Sequence, residues 1–249
     1  MTVKRDKIVE YLNECLKVDE FKDYCNNGLQ VQGRGDVSKI VTGVTLSKKL
    51  IGEAVKRNAE MIIVHHGIFL NDVPSPIQLK GVVKERIKML LSNDISLVGY
   101  HLPLDAHAEI GNNISLAKLL GVKKCEPLEV GYVGELDAET GLREFVKLVD
   151  EKLKVKSFVL PYGKEKIKRI AIVSGGSSPY FEKAFDMGAD LLLGGDIREG
   201  EVRKMEEAGI NYINAGHYNT EKLGIQNLGK LVEEKFRVKA EFVDIPCEI

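Results

Sequence analysis

The sequence predicts an α/β protein of two similar lobes, residues 1–125 and 126–249, each a βαβαβ-type unit, together one compact body. Three observations predict it. Short β-branched runs alternate with helical patterns across short connections, which implies mostly parallel sheets with helices on their faces. The stretch Ala54–Ile63 resembles Ala184–Leu193 in its alanines, its acidic residue and its apolar run, and the same offset of 130 lays Ile40–Thr45 on Ile170–Gly175. Further on, Ser96–His101 resembles Tyr212–His217, so strand–helix–strand–helix–strand occurs twice.

Lys4–Lys17 places Ile8, Leu12 and Leu16 on one helical face. Asn26-Asn27-Gly28 is a turn signal leading into a short strand through Val31. Lys39–Thr45 reads as a strand, and Ser47 as the cap of a helix Lys48–Arg57. Met61–Val64 is a buried strand that runs into His65 and His66, and Gly67 ends it. Asn71–Pro76 is a loop, Val82–Leu91 a helix, and Ile95–Tyr100 a strand ending in His101-Leu102-Pro103-Leu104-Asp105-Ala106-His107. Asn113 is expected to cap a helix Ile114–Leu120, closed by Gly121.

The second half opens with a strand Val130–Leu136 and a helix from Thr140 to Leu153 with Leu142, Phe145, Val146, Val149 and Leu153 inward. Strands follow at Ser157–Leu160 and Ile167–Val173. Gly175-Gly176 then turns into a helix with Ser178 as its cap and Pro179 as its first residue. A strand Leu191–Leu193, a helix Val202–Ala208, a strand Tyr212–Ala215, a helix Gly224–Phe236 and a strand Ala240–Val243 complete the chain.

Composition narrows the function classes. The chain is 44% apolar and 29% charged with a formal net charge of −1, so no global field draws it to nucleic acid or anionic lipid. The cysteines Cys15, Cys25, Cys125 and Cys247 show no C-x-x-C spacing, which points to reduced thiols in the cytoplasm and away from a thiolate zinc site. The first residues are charged rather than those of a signal peptide, and no apolar run is long enough to span a membrane.

All five histidines, His65, His66, His101, His107 and His217, fall at three strand ends. Side chains alternate along a strand, but at its end two adjacent imidazoles can converge. Imidazole is the commonest protein metal ligand. In parallel sheets ligands sit outside the carboxyl ends of the strands, and two facing halves would bring the histidine motifs into one cleft. His65, His66, Asp105, His217 and Glu221 form a candidate ligand set without thiolate, suited to Zn, Mn, Fe, Ni or Co. Five side chains are too many for one catalytic zinc that also holds water, and fit two ions. Two metals about 3.5–4 Å apart can activate a water and polarise a phosphoryl or carbonyl oxygen. His217 and Glu221 share one helix face if a turn begins at Gly216. His107 is either a further ligand or an ordinary polar residue. Asp196 is either a partner of a ligand or a helix cap. Gly175-Gly176 reads better as a tight turn than as a phosphate cradle, because it lacks the P-loop lysine.

These residues resemble a known family, the dinuclear-metal GTP cyclohydrolase type 2 homologues, or NGG-interacting-factor-three-like proteins. The resemblance is carried by Asn27–Val31, Val64-His65-His66-Gly67, His101 with Leu104-Asp105-Ala106, Gly188-Ala189-Asp190, Gly195-Asp196, and Gly216-His217-Tyr218 with Glu221, in the family's order. It implies two divalent ions held by the same five side chains, a two-lobed α/β fold and a ring-shaped homohexamer. Two positions depart from the family pattern: Gly67 stands where a proline is frequent, and Tyr132 where an arginine is common.

Two functions follow. One is a metal-dependent hydrolase acting on a nucleotide or another small phosphate compound, with His101 as general acid/base. The other is a non-enzymatic, metal-containing module that binds DNA or RNA as an oligomer. The near-zero net charge and the absence of Trp or an RNP-like aromatic run weigh for the first.

Overall fold

A computed structural model describes residues 1–68 and 78–247. The expected loop Asn71–Pro76 lies outside them. The chain divides into two units, one of Met1–Leu104 with Ile225–Ile245 and the other of Asp105–Gly224 with Pro246–Ile249. Position 125, where the sequence suggested a boundary, lies inside the second unit, within the strand Lys123–Leu128.

The first unit holds a five-stranded sheet in the order Lys239–Phe242, Lys39–Thr45, Met61–His66, Ser96–Gly99, Gly28–Val31. The first four strands are parallel and Gly28–Val31 closes the edge antiparallel. Val41, Ile62, Val64 and Leu97 form a buried cluster with Leu50, Ile51 and Ala54 of the helix Lys48–Lys56 and Leu90 of the helix Gly81–Ser92. Ser47 caps the first of these helices, its hydroxyl accepting from the Leu50 amide at 3.1 Å. The amino-terminal helix Arg5–Leu16 buries Ile8, Leu12 and Leu16, and the Tyr100 hydroxyl donates to its Asn13 at 2.8 Å.

The second unit holds a six-stranded sheet in the order Lys123–Leu128, Gly131–Gly141, Lys166–Ile172, Leu191–Gly194, Asn211–Asn214, Phe158–Leu160. Its three central neighbours from Lys166–Ile172 to Asn211–Asn214 are parallel, and the outer strands are antiparallel. The strand period of two is explicit in its core. Ile170, Ile172, Leu191 and Leu193 pack on one face with Leu142, Phe145, Val149 and Leu153 of the helix Leu142–Leu153, while Ala171, Val173 and Leu192 pack on the other with Phe181, Ala184 and Met205. Each large apolar side chain so buried contributes about 1.5–3 kcal/mol.

The repeat is present in hydrogen-bond register. Ile40 pairs with Met61 in one sheet and Ile170 with Leu191 in the other, an offset of 130 in both strands. The third strand is a correction. Met61 pairs with Ser96 but Leu191 pairs with Asn211, so the two third strands align one residue away from the Ser96–Tyr212 match. In register His101 therefore corresponds to Gly216, not to His217, because sequence likeness at a strand end does not determine which residue the ladder pairs.

Local corrections have clear causes. Asn113 does not cap its helix, which runs Asn112–Leu119 from an uncapped Gly111; its amide instead donates to the carbonyls of Asp105 and Val130 and accepts from the Ser174 amide. Thr140 belongs to a strand, paired with Ile167, and the next helix begins at Leu142. Ser178 starts a 3-10 turn, and its hydroxyl accepts from the Arg198 amide. The last helix begins at His217 rather than Gly224 and so includes Glu221. No helix among the described residues is long and apolar enough to cross a membrane.

Candidate metal centre

In the first unit the strand Met61–His66 delivers His65 and His66 at its end, and the segment after Ser96–Gly99 delivers His101. Although His65 and His66 are sequence neighbours, their rings converge, with centroids 4.6 Å apart. The His101 ring lies 5.1 Å from that of His65 and 5.7 Å from that of His66. One ring nitrogen from each of the three lies within 4.8 Å of the other two. His65 and His101 are buried, at 0% and 5% exposure.

Hydrogen bonds orient the rings. His65 Nδ1 is 2.8 Å from the carbonyl of Tyr100, which can only accept, so Nδ1 carries the proton and Nε2 is the nitrogen offered to an ion. His66 Nδ1 is 2.9 Å from the Thr45 hydroxyl. His101 Nδ1 is 2.9 Å from Asp23, whose side chain is 2% exposed. Burial pushes the Asp23 carboxyl up, but hydrogen bonds from His101 and Asn27, the charge of His101 and the Cys25 amide outweigh it and hold the group at about 2. Ionised Asp23 only accepts, so His101 too is protonated at Nδ1. The Tyr24 hydroxyl lies 3.4 Å from His101 Nε2.

Two glycines make room beside this cluster. A Cβ on Gly67 or Gly99 would come within 2.1 or 2.6 Å of the Gln30 side chain, whose carbonyl accepts from the Ile68 amide at 2.7 Å. Gly67 thus ends the histidine strand by letting Gln30 of the Asn27–Val31 motif pack against it.

The second unit carries the acidic ligand candidates and the last histidine. Asp105 is buried, and one oxygen accepts from Asn112 at 2.9 Å and from the Ser174 hydroxyl at 3.0 Å. His217 and Glu221 sit one turn apart on the helix His217–Phe236, with His217 Nε2 3.1 Å from the carboxylate of Glu221. His217 Nδ1 is 2.5 Å from Asp196, which settles that residue's role: it holds the imidazole and caps no helix. Burial lowers the His217 pKa, but Glu221 and Asp196 together raise it to about 9.

Gly175 has φ of +58°, and a Cβ there would lie 2.0 Å from Glu221 Oε1 and 2.9 Å from His217 Nε2. The Gly175-Gly176 turn is therefore the gap into which these side chains fit. Tyr132, the residue in place of an arginine, donates its hydroxyl to the Ala106 carbonyl at 3.0 Å and steadies the segment after Asp105. His107 accepts from the amides of Glu109 and Ile110 and closes a turn; it is not one of the three clustered imidazoles.

The residues fit a divalent cation. Their donors are imidazoles and carboxylates, and His65 and His217 each have Nδ1 bound to an oxygen acceptor, so Nε2 is the nitrogen that would coordinate an ion. Asp23, Ser174 and Asn112 escaped sequence reasoning. Asp23 lies in an irregular segment 78 residues from the ring it holds, and no local pattern marks it.

Residues 3–248 match the family model described as Duf34/NIF3 (NGG1p interacting factor 3). A Haemophilus influenzae protein named GTP cyclohydrolase 1 type 2 homolog is 39% identical over 246 residues, covering 96% of this chain and 97% of that protein. One of the same name from Pyrococcus horikoshii is 41% identical over 251 residues, covering 97% and 98%. The crystal structure of TTHA1606 from Thermus thermophilus superposes with a TM-score of 0.92 at 31% identity, covering 99% of this chain and all of that one.

Proposed function

Because the chain belongs to the Duf34/NIF3 family, we propose that it is a dinuclear metal protein, a metal-dependent hydrolase of a nucleotide or another small phosphate compound. His65, His66, Asp105, His217 and Glu221 are its ligands. The observation that supports this reading most is the common orientation of His65 and His217, each with Nδ1 on an oxygen acceptor and Nε2 as the coordinating atom. Divalent ions bound by these residues supply Lewis acidity and lower the pKa of water.

The chain's own groups have separate tasks. Asp196 and the Tyr100 carbonyl fix the imidazole tautomers, and Asn112 and Ser174 hold Asp105 by one oxygen. Asp23 keeps the proton of His101 on Nδ1, so that Nε2 is the atom that takes a proton from, or returns one to, the reacting molecule. The native assembly is a closed ring of six subunits.

Metal analysis and circular dichroism of His65→Ala and Glu221→Ala test the ligand set. Both variants lose metal and keep their fold, since no sheet or helix depends on those side chains. Full metal content in both refutes the assignment. Protein reloaded with Mn, Zn, Fe or Ni is then screened against nucleotides and simple phosphoesters. No turnover in any metal form, with salt-sensitive binding to DNA or RNA, decides for the non-enzymatic module.

A further inference from the structure

The second unit contains a cavity of about 780 Å³, and its wall includes Asp196, the residue that holds His217. That volume lies in the range of small-molecule sites, roughly 300–1,000 Å³. Three kinds of chemistry line it. Lys156 and Arg198 are exposed cations on the cavity, and among the described residues neither side chain has a hydrogen-bond or ion-pair partner. The Arg198 amide donates to the Ser178 hydroxyl at 3.1 Å, which fixes the backbone that carries the guanidinium.

Phe158 leaves 56% of its surface exposed although it sits in a strand. It pairs directly with Asn214 across the antiparallel ladder, so the ring and the amide stand side by side on one face of the sheet. The Asn214 side-chain oxygen accepts from the Gly216 amide at 2.9 Å, so its NH2 group is the donor this cavity-lining side chain has to offer. Asn219, in the first turn of the helix His217–Phe236, adds a second amide to the wall.

We propose that this cavity is a mononucleotide subsite, with the phosphate on Arg198 and Lys156, the base against Phe158 and its edge at Asn214 and Asn219. Such a ligand lies against Asp196, which holds His217, and this identifies the substrate class of the hydrolase reading. The inference rests on that reading for its role but not for its binding chemistry.

The test is calorimetric titration of metal-free protein with AMP, GMP, CMP and UMP, beside inorganic phosphate. At least one nucleotide binds with an affinity that falls as salt rises. An Arg198→Ala/Lys156→Ala double variant, shown folded by circular dichroism, weakens it by about tenfold or more. Phe158→Ala weakens nucleotide binding by roughly fivefold or more and leaves phosphate unchanged, the signature of stacking. No binding of any of the four up to millimolar concentration, equal affinity in the double variant, or nucleotides binding no better than phosphate each overturns the subsite. Metal content of the same proteins, measured before the ions are stripped, separates this outcome from failure of the ligand assignment. If nucleotides bind as described but no metal form turns them over, the subsite stands and the hydrolase reading falls.

Discussion

Replacing Asp23 with Asn tests how the buried histidine cluster is held. The side chain keeps its size but loses its charge and one acceptor. In the native protein one carboxylate oxygen accepts from His101 Nδ1 at 2.9 Å and the Cys25 amide at 3.1 Å, and the other from the Leu102 amide and the Asn27 side chain, both at 3.0 Å. Whichever way the new amide turns, its NH2 group faces two donors. With a charge-assisted bond contributing about 1.5–3 kcal/mol, and a buried donor left without a partner costing about 1–3 kcal/mol, the expected loss is about 2–4 kcal/mol. At about 2–4 °C per kcal/mol for a chain of this size, the melting temperature falls by roughly 5–15 °C. Urea unfolding followed by circular dichroism measures the free energy, and ring-nitrogen NMR reads the tautomer. The native His101 shows a protonated Nδ1, and the variant shows a mixture. A native His101 with Nδ1 unprotonated, or a variant within about 0.5 kcal/mol of native stability, refutes the reasoning.

Four further outcomes are expected. His101→Asn keeps its metal and lowers turnover by roughly 10²–10⁴, the usual contribution of a general acid/base; undiminished kcat removes that role. Gly175→Ala places a Cβ 2.0 Å from Glu221 Oε1 and costs about 1–2 kcal/mol for its left-handed backbone, so metal analysis finds content as low as in Glu221→Ala. Asp190 has its pKa raised by burial but lowered more by the amides of Arg169 and Lys168 and by Lys164, so its net shift is downward from 3.8. Its stabilisation is therefore present above the ordinary carboxylate range and lost as pH falls through the lower folded value. Asp190→Asn is less stable than native protein at pH 7, and the two unfolding curves converge in acid; a gap that persists there contradicts this. Sedimentation equilibrium finds a closed oligomer of six chains, and a monomer at micromolar concentration contradicts the ring.

Strand and helix identities were legible because a buried face imposes its period on the sequence. Leu142, Phe145, Val149 and Leu153 mark a helix that buries one stripe, and Met61–Val64 marks a strand buried on both sides. The offset of 130 was legible for the same reason, and it survives as hydrogen-bond register. His65, His66, Asp105, His217 and Glu221 could be singled out as candidates because strand ends and i, i+4 spacing are local properties.

The tertiary structure alone decided the rest. Asn113 looks like a cap from its neighbours, but its amide is claimed by Asp105, Val130 and Ser174. The strand Lys239–Phe242 returns to pair with Lys39–Thr45, and no periodicity could assign it to the first unit. Asp23 reaches His101 across 78 residues, and Ser174 reaches Asp105 across 69. A side chain's periodicity records only which face it buries. Its hydrogen-bond partner is whichever acceptor or donor the folded chain brings within about 3 Å, and buried polar groups are held to that choice by the cost of leaving them unpaired.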